Sequence, residues 1–492
     1  MSQRPPAPRI STQRRIPTWI AIAAASVPVF MATLDNLVVT SALPAIHQEM
    51  GASVEDLQWI TNAFTLSFAS FLLIAVSLGD RFGRRGVFVG GIVLFTAASV
   101  ACAVSGDPTS LVAWRAVQGA GAAAITPLSL TLLVGSVPLR SRSLAIGIWS
   151  GVSGLGVALG PLVGGAAVEG WNWQAIFWIN LPVGLVSIPL AILALPNTSF
   201  RSSARIDFPS MLLVGGAILG VVYGIVRGNE VGWTSAQVVG SIVAGIVALA
   251  LFIWRQSRSL TPLVPLRLFR DRSFALANVV GLIFSFGAFG AVFILIQFMQ
   301  IVQGRSPLEA GILTMPWTLA PMIVAPLAGL VAPRVGTRVL LSLGLASLSA
   351  GILWMAYCIA LNTPYLQQLP GFILAGLGMG LVFAPLSTAV LANMTQRDHG
   401  TASGVSSMVR EVGVALGIAV LTAVFTGAGG ELTAAGYVDA AVPAVLVGGC
   451  ALAVASGLAW FMPSGRMPAA ARGADDLVRA SSDSLSSSRE VL

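Results

Sequence analysis

The chain alternates long apolar runs with short polar turns over almost its whole length. A membrane-crossing helix needs about 20 largely apolar residues. Runs of that kind recur at 19–43, 58–79, 86–105, 110–134, 143–167, 174–195, 207–226, 235–254, 273–301, 308–332, 337–358, 367–392, 402–427 and 438–462. The pattern predicts fourteen helical spans. The first run is too long for a signal peptide and has no small-residue cleavage site before Pro44, so it reads as an uncleaved span. Polar tails flank the runs, 1–17 with Arg and Pro, and 464–492 with Ser, Ala and Arg in a disordered-type composition.

Composition agrees with this pattern. Of 492 residues, 56% are hydrophobic and only 9% charged, against roughly 25% charged in a soluble protein. The net charge is +8, and all 27 basic residues are arginine. They are scattered between spans and form no patch, so no nucleic-acid partner is expected. Cys102, Cys358 and Cys450 lie inside apolar runs without metal-ligand spacing and read as small core residues. No P-loop or nucleophile elbow is present, so the sequence gives no sign of ATP-driven work, of catalysis or of a metal.

The arginines set an orientation. With the N-terminus in the cytoplasm, Arg4–Arg15, Arg81–Arg85, Arg140, Arg142, Arg201, Arg205, Arg255–Arg272, Arg334, Arg338 and Arg397 fall inside. Only Arg227 and Arg305 fall in outer loops, where Glu49, Glu55, Asp56, Asp107, Glu169, Glu431 and Asp439 gather instead. Both termini are expected in the cytoplasm.

The chain also repeats itself. Gly156–Gly160 recurs as Gly413–Gly417, 257 residues later; Thr126–Ser129 as Ala384–Ser387, 258 later; and Leu78–Arg85 as Val331–Arg338, 253 later. The shared offset exceeds one six-span half by roughly two helices. The expected plan is a tail at 1–17, a six-helix half at 18–200, two inserted helices at 201–260, a second half at 261–463 and a tail at 464–492. Two parallel halves imply a midplane cavity and alternating access.

Several stretches carry a family likeness: Leu34–Pro44, Leu78–Arg85, Arg115–Gly121, Gly156–Gly165, and Trp171–Trp173 with Phe177–Gly184. The sequence resembles the major facilitator superfamily, in its fourteen-helix drug:proton antiporter branch. The resemblance implies an all-α polytopic major facilitator fold, arranged as six, two and six helices. It implies a cytoplasmic gate loop at Asp80, Arg81, Gly83, Arg84 and Arg85, and a fourth-helix motif at Arg115, Gln118, Gly119 and Gly121. It also implies an antiporter fifth-helix motif at Gly156, Gly160, Pro161, Gly164 and Gly165. The chain departs from the family pattern at Val76, where Gly is usual, at Arg85, where Lys is common, and at Phe64, where Tyr is frequent.

Four charged residues stand inside spans, where each costs about 2.5–3.5 kcal/mol on insertion scales. Asp35 lies about 12 Å before the outer end of the first span, and Arg115 about 7.5 Å into the fourth. At matched depth the two can pair, either as a structural ion pair or as a proton-handling unit in which Arg115 tunes Asp35. Arg410 and Glu411 sit about 12–14 Å into the thirteenth span. Glu411 is a candidate second proton site or a counter-charge for a cationic substrate, or a residue paired with neighbouring helices. In the fifth span Gly151 and Gly154 extend the glycine series of the motif. A substrate pocket with apolar walls and few polar groups would draw on Asn36, Asn62, Phe64, Phe286, Phe289, Gln297, Trp317 and Glu411.

The sequence thus points to a monomeric, proton-coupled exporter of antibiotics or other amphipathic drugs in a bacterial cytoplasmic membrane. Protons, the substrate and the lipid bilayer are its expected partners, and the proton gradient stands in place of a cofactor. The alternatives are export of a lipid or self-made metabolite, or solute uptake by a symporter of the same fold. A membrane receptor is the third, disfavoured because tails and loops are too short for a signalling domain.

Overall fold

The computed structural model describes residues 17–138, 142–196, 207–259, 262–394 and 398–463. Among them the secondary structure is entirely helical. In chain order the helices are α1 Thr18–Met50, α2 Val54–Phe82, α3 Arg84–Ala103, α4 Pro108–Ser136, α5 Arg142–Gly170, α6 Ala175–Trp178, α7 Asn180–Ala194, α8 Phe208–Val231 and α9 Ala236–Arg258. After a 3-10 turn at Leu266–Arg270 come α10 Arg272–Ile301, α11 Pro307–Leu313, α12 Met315–Val335, α13 Thr337–Cys358, α14 Tyr365–Leu391, α15 His399–Gly427 and α16 Ala434–Ala459. We call the end of the bundle where α1 begins proximal and the other end distal.

Twelve stretches of the described residues are long and apolar enough to cross a membrane. The helices α2 and α5 add two further long segments of 29 residues each. Two expected spans are each built from two helical pieces: 174–195 is α6 and α7 joined at Ile179, and 308–332 is α11 and α12 joined at Thr314. The expected domain boundaries near 200 and 260, and the two tails apart from Pro17, lie outside the described residues.

Local chemistry starts and stops these helices where the polar turns fall. Ser53 and Asp56 form a reciprocal capping box on α2, and Ser306 and Glu309 form one on α11. The side chains of Asp107 and Asp271 cap α4 and α10 by accepting from Ser110 and Phe274 backbone N–H groups. The tight turns α2–α3 and α12–α13 both hinge on a glycine, Gly83 at φ 107° and Gly336 at φ 96°. A side chain is disfavoured in that backbone region, so the worn sequence repeat keeps its one indispensable residue.

Packing carries the repeat further. A Cβ at Gly156 would lie 2.9 Å from Phe30 O of α1, and one at Gly160 2.7 Å from Leu37 Cβ. In the second half, a Cβ at Gly413 would lie 2.4 Å from Leu282 O of α10, and one at Gly417 2.2 Å from Phe286 O. Thus α5 docks on α1 as α15 docks on α10. Likewise Gly121 admits Phe95 N of α3, and Gly378 admits Leu348 N of α13, at 2.7 and 2.4 Å from the missing Cβ. Small residues bring helices close where lipid gives no hydrophobic drive for association.

The two halves touch at the distal end. A Cβ at Gly165 would stand 2.2 Å from Pro307 O, and one at Gly311 2.5 Å from Pro161 O. Leu308 N donates to Glu169 Oε2 at 3.3 Å, and Gln300 Nε2 to Ser41 O at 3.1 Å. The α8–α9 pair lies against α2 and α15, and α9 turns Val243, Ile246, Leu249 and Ile253 outward, as a bilayer-facing helix does.

Candidate functional site

The intramembrane acid of α1 and base of α4 meet. Asp35 and Arg115 are both fully buried and form an ion pair through Arg115 Nη1 and Asp35 Oδ2. The same Nη1 donates to Gln118 Oε1 at 2.6 Å, and Nε donates to Ile60 O of α2 at 3.2 Å. The other carboxylate oxygen, Asp35 Oδ1, accepts from Gln118 Nε2 at 2.9 Å and from Asn180 Nδ2 at 2.8 Å. Ser99 Oγ of α3 accepts from Gln118 Nε2 at 2.7 Å and from Asn180 Nδ2 at 3.2 Å. The guanidinium lies 4.4 Å above the Phe64 ring and 5.8 Å from that of Phe177. Neutral amides meet the carboxylate and two aromatic faces flank the guanidinium, whereas Arg115 Nη2 is buried without a hydrogen-bond partner among the described residues.

The fourth-helix motif explains how Arg115 is placed. Gly119 lets α4 approach α2 so closely that a Cβ would stand 2.2 Å from Phe64 O. Gly121 does the same toward α3. Arg115 and Gln118, one turn apart, are thereby held between α1, α2 and α3. Every hydrogen-bonding partner named for Asp35 belongs to the first half, from α4 and α7.

A second polar centre lies at the seam. A cavity of about 140 Å³ is lined by Thr33, Asn36 and Leu37 of α1, Phe284, Ser285 and Phe289 of α10, Phe383 of α14, and Arg410, Glu411 and Val414 of α15. Glu411 Oε2 is buried there without a protein partner. Arg410 reaches Ser407 on its own helix at 3.4 Å. A smaller apolar cavity of about 30 Å³ adjoins through the shared Leu37 and Phe289, with Pro161, Trp317 and Phe372 in its wall.

Of the expected pocket residues, Asn36, Phe289 and Glu411 line the larger cavity and Trp317 the smaller. The others stand elsewhere. Phe64 packs beneath Arg115. Gln297 is buried and donates to Phe293 O of its own helix. Asn62 is fully buried with neither amide atom hydrogen-bonded. Phe286 lines neither cavity, and its backbone instead receives Gly417.

The glycine motif of α5 splits into two functions. Gly156, Gly160 and Gly164 seat α5 on α1, whereas Gly165 meets Pro307 of the other half. Ser41 Oγ of α1 donates to Pro161 O at 3.2 Å. Gly151 and Gly154 have open space where a side chain would stand and belong to no groove. In the gate loop, Arg85 Nη1 donates to Ile192 O and Leu195 O, at 3.0 and 3.2 Å, at the C-terminus of α7. Arg81 lies 5.3 Å from the Phe82 ring, the stem of Arg84 lies near Gly79, and Gly83 makes the turn. The Asp80 side chain lies outside those described.

Sequence reasoning gave no role to Ser99 or Asn180. Asn180 stands in the quoted Phe177–Gly184 stretch, a polar residue in an apolar run. That was the available signal, whereas Ser99 gave none among many small residues.

Two like-folded helical halves around a polar and aromatic cavity, with a buried ion pair beside it, define a multi-pass secondary-transporter architecture. The chain belongs to the Major Facilitator Superfamily, whose sequence profile matches residues 26–418. It is 34% identical over 406 residues to the Multidrug resistance protein Stp of Mycobacterium tuberculosis (strain CDC 1551 / Oshkosh), covering 82% of this chain and 75% of that protein. It is 33% identical over 428 residues to the Tetracenomycin C resistance and export protein of Streptomyces glaucescens, covering 87% and 79%. Among solved structures, the human organic anion transporter MFSD10 (TETRAN) shares the fold, with a TM-score of 0.60 at 15% identity over 90% of this chain and 100% of that one.

Proposed function

We propose that this protein is a proton-coupled antiporter that exports amphipathic antibiotics across a bacterial cytoplasmic membrane. The relatives named for multidrug resistance and for resistance and export support the cargo and the direction. In this reading α2 and α5 also cross the bilayer, giving fourteen spans, and the arginine-rich proximal end faces the cytoplasm. The distal contacts between α5 and α11 then close the outer side, so the conformation faces inward.

One observation carries the proposal: α1 belongs to both polar centres. Asp35 points into the first-half network, while Thr33, Asn36 and Leu37 line the seam cavity with Glu411. Residues adjacent in a helix point about 100° apart, so a small rotation of α1 moves both sets together. Pro28 and Pro44 bracket this segment and remove backbone hydrogen bonds at its two ends. Because the partners of Asp35 all ride on one half, rocking of the halves alone does not part it from Arg115. Cargo in the cavity shifts α1, and that shift alters the donors around Asp35 and hence its hold on a proton. The cavity walls of Phe284, Phe289 and Phe383 suit an aromatic cargo, and Glu411 supplies an acceptor.

A susceptibility panel on an overexpressing strain tests this. We expect raised tolerance to a subset of aromatic antibiotics, loss of it with a proton uncoupler, and loss of it in Glu411→Leu, which removes the acceptor, for cargo bearing a hydrogen-bond donor. Tolerance that persists undiminished under the uncoupler contradicts proton coupling. A second reading, export of a self-made metabolite, draws on the tetracenomycin C relative and predicts no change in the panel but loss of secretion on deletion.

A further inference from the structure

The α8–α9 pair stands outside the internal repeat, yet it is tied to both halves. Helix α8 runs antiparallel to α2 along its length. A Cβ at Gly215 would sit 3.3 Å from Ser70 Oγ, the Tyr223 and Trp59 rings lie 6.0 Å apart, and Arg227 Nη1 donates to Glu55 Oε2 at 3.2 Å. With α15 the contacts lie in its distal half. Val222 and Val226 pack with Leu66 against Ala415 and Ala419. Above them Asn229 Nδ2 donates to Ala423 O and, at 2.7 Å, to Thr426 Oγ1. Trp233 Nε1 donates to Asn229 Oδ1 at 2.8 Å and fixes the orientation of the amide. The pair itself is closely packed: a Cβ at Gly220 would lie 2.8 Å from Ser241 O, and one at Gly245 2.9 Å from Ala217 O.

We propose that α8–α9 rides with the first half as a side strap, and that Asn229 is its clasp on α15, holding the distal seam shut until the transporter opens there. The proposal rests on the alternating-access reading. The asymmetry of the contacts decides which side lets go. Toward α2 the strap is held at several levels, by Ser70, Leu66, Trp59 and Glu55. Toward α15 it is held over the distal half alone, by Ala415, Leu416 and Ala419 and by the two hydrogen bonds of the Asn229 amide. Opening the distal end must separate α2 from α15, so the attachment confined to that end is the one that parts.

The test uses full-length protein in nanodiscs, with Cys102, Cys358 and Cys450 replaced and spin labels at Gly106 and Leu361, on the distal turns of the two halves. Asn229→Ala removes both hydrogen bonds to α15 and is expected to raise the population with separated distal ends by roughly fivefold. Oxidative linkage of the Asn229→Cys/Thr426→Cys pair is expected to abolish that population, and linkage of Ser70→Cys/Gly215→Cys to leave it intact. An unchanged distance distribution in Asn229→Ala overturns the clasp, as does a block by the Ser70–Gly215 link. Gly311→Ala, which drives a methyl into Pro161 O, serves as the control. If it separates the distal ends and Asn229→Ala does not, the clasp is wrong and alternating access stands. If neither does, both fall.

Discussion

At the scale of single residues, the molecule places a full charge pair where no water reaches. Asp35 is held by three side chains; Arg115 meets two side chains, a backbone carbonyl and two rings, with Nη2 left buried and unpaired among the described residues. Removing one partner of such a pair strands the other and typically costs 3–5 kcal/mol, about the full effect expected for Arg115→Ala. Replacing both, as in Asp35→Asn/Arg115→Met, should cost less than the sum of the singles by about 0.5–3 kcal/mol. Unfolding in detergent over the four members of this cycle measures the difference, and strict additivity rules out a coupled pair. Arg115→Lys should not restore stability, because an ammonium cannot serve Ile60 O, Gln118 and Asp35 in one plane. The pair was legible in the sequence because charge in an apolar run is conspicuous and helix rise converts position into depth. Ser99 and Asn180 were not, because neutral hydrogen-bonding residues are common in membrane helices and their directions are set only by packing. The same limit misplaced Phe64 and Gln297, which have the right composition for a pocket but point elsewhere.

At the scale of helices, glycines decide who touches whom, and their spacing in sequence does not say which ones matter. The run from Gly151 to Gly165 reads as one groove, yet only its distal part is filled. Gly156→Ala and Gly417→Ala each push a methyl into backbone that cannot yield easily, and each should destabilise by about 1–3 kcal/mol. Gly151→Ala and Gly154→Ala meet nothing within 4 Å and should be neutral or slightly stabilising, by up to about 1 kcal/mol from helix propensity. Melting temperatures of the four variants sort these groups, and equal losses would contradict the packing scheme. The duplication was readable from the near-constant offset between Gly156–Gly160 and Gly413–Gly417. The breaks at Ile179 and Thr314 went unread, although Asn180 and Pro182, and Thr314 and Pro316, mark them in the sequence.

At the scale of the whole molecule, the two halves, the seam cavity and the distal closure form one device, with α1 shared between its polar centres. The doubled packing, α5 on α1 and α15 on α10, was announced by the near-constant offset of the repeat. The cavity was expected, with Asn36, Phe289 and Glu411 in its wall, but the rest of its lining was not, because α1, α10, α14 and α15 are brought together only by the assembled fold. The central claim is that cargo movement and proton movement are linked through Asp35. The most direct test is reconstitution in proteoliposomes carrying an interior pH dye, with addition of a cargo identified by the susceptibility panel. Cargo moving down its gradient should drive protons the opposite way through the native protein, and Asp35→Asn should abolish this proton movement while still binding cargo. Undiminished cargo-driven proton movement in Asp35→Asn would contradict the account.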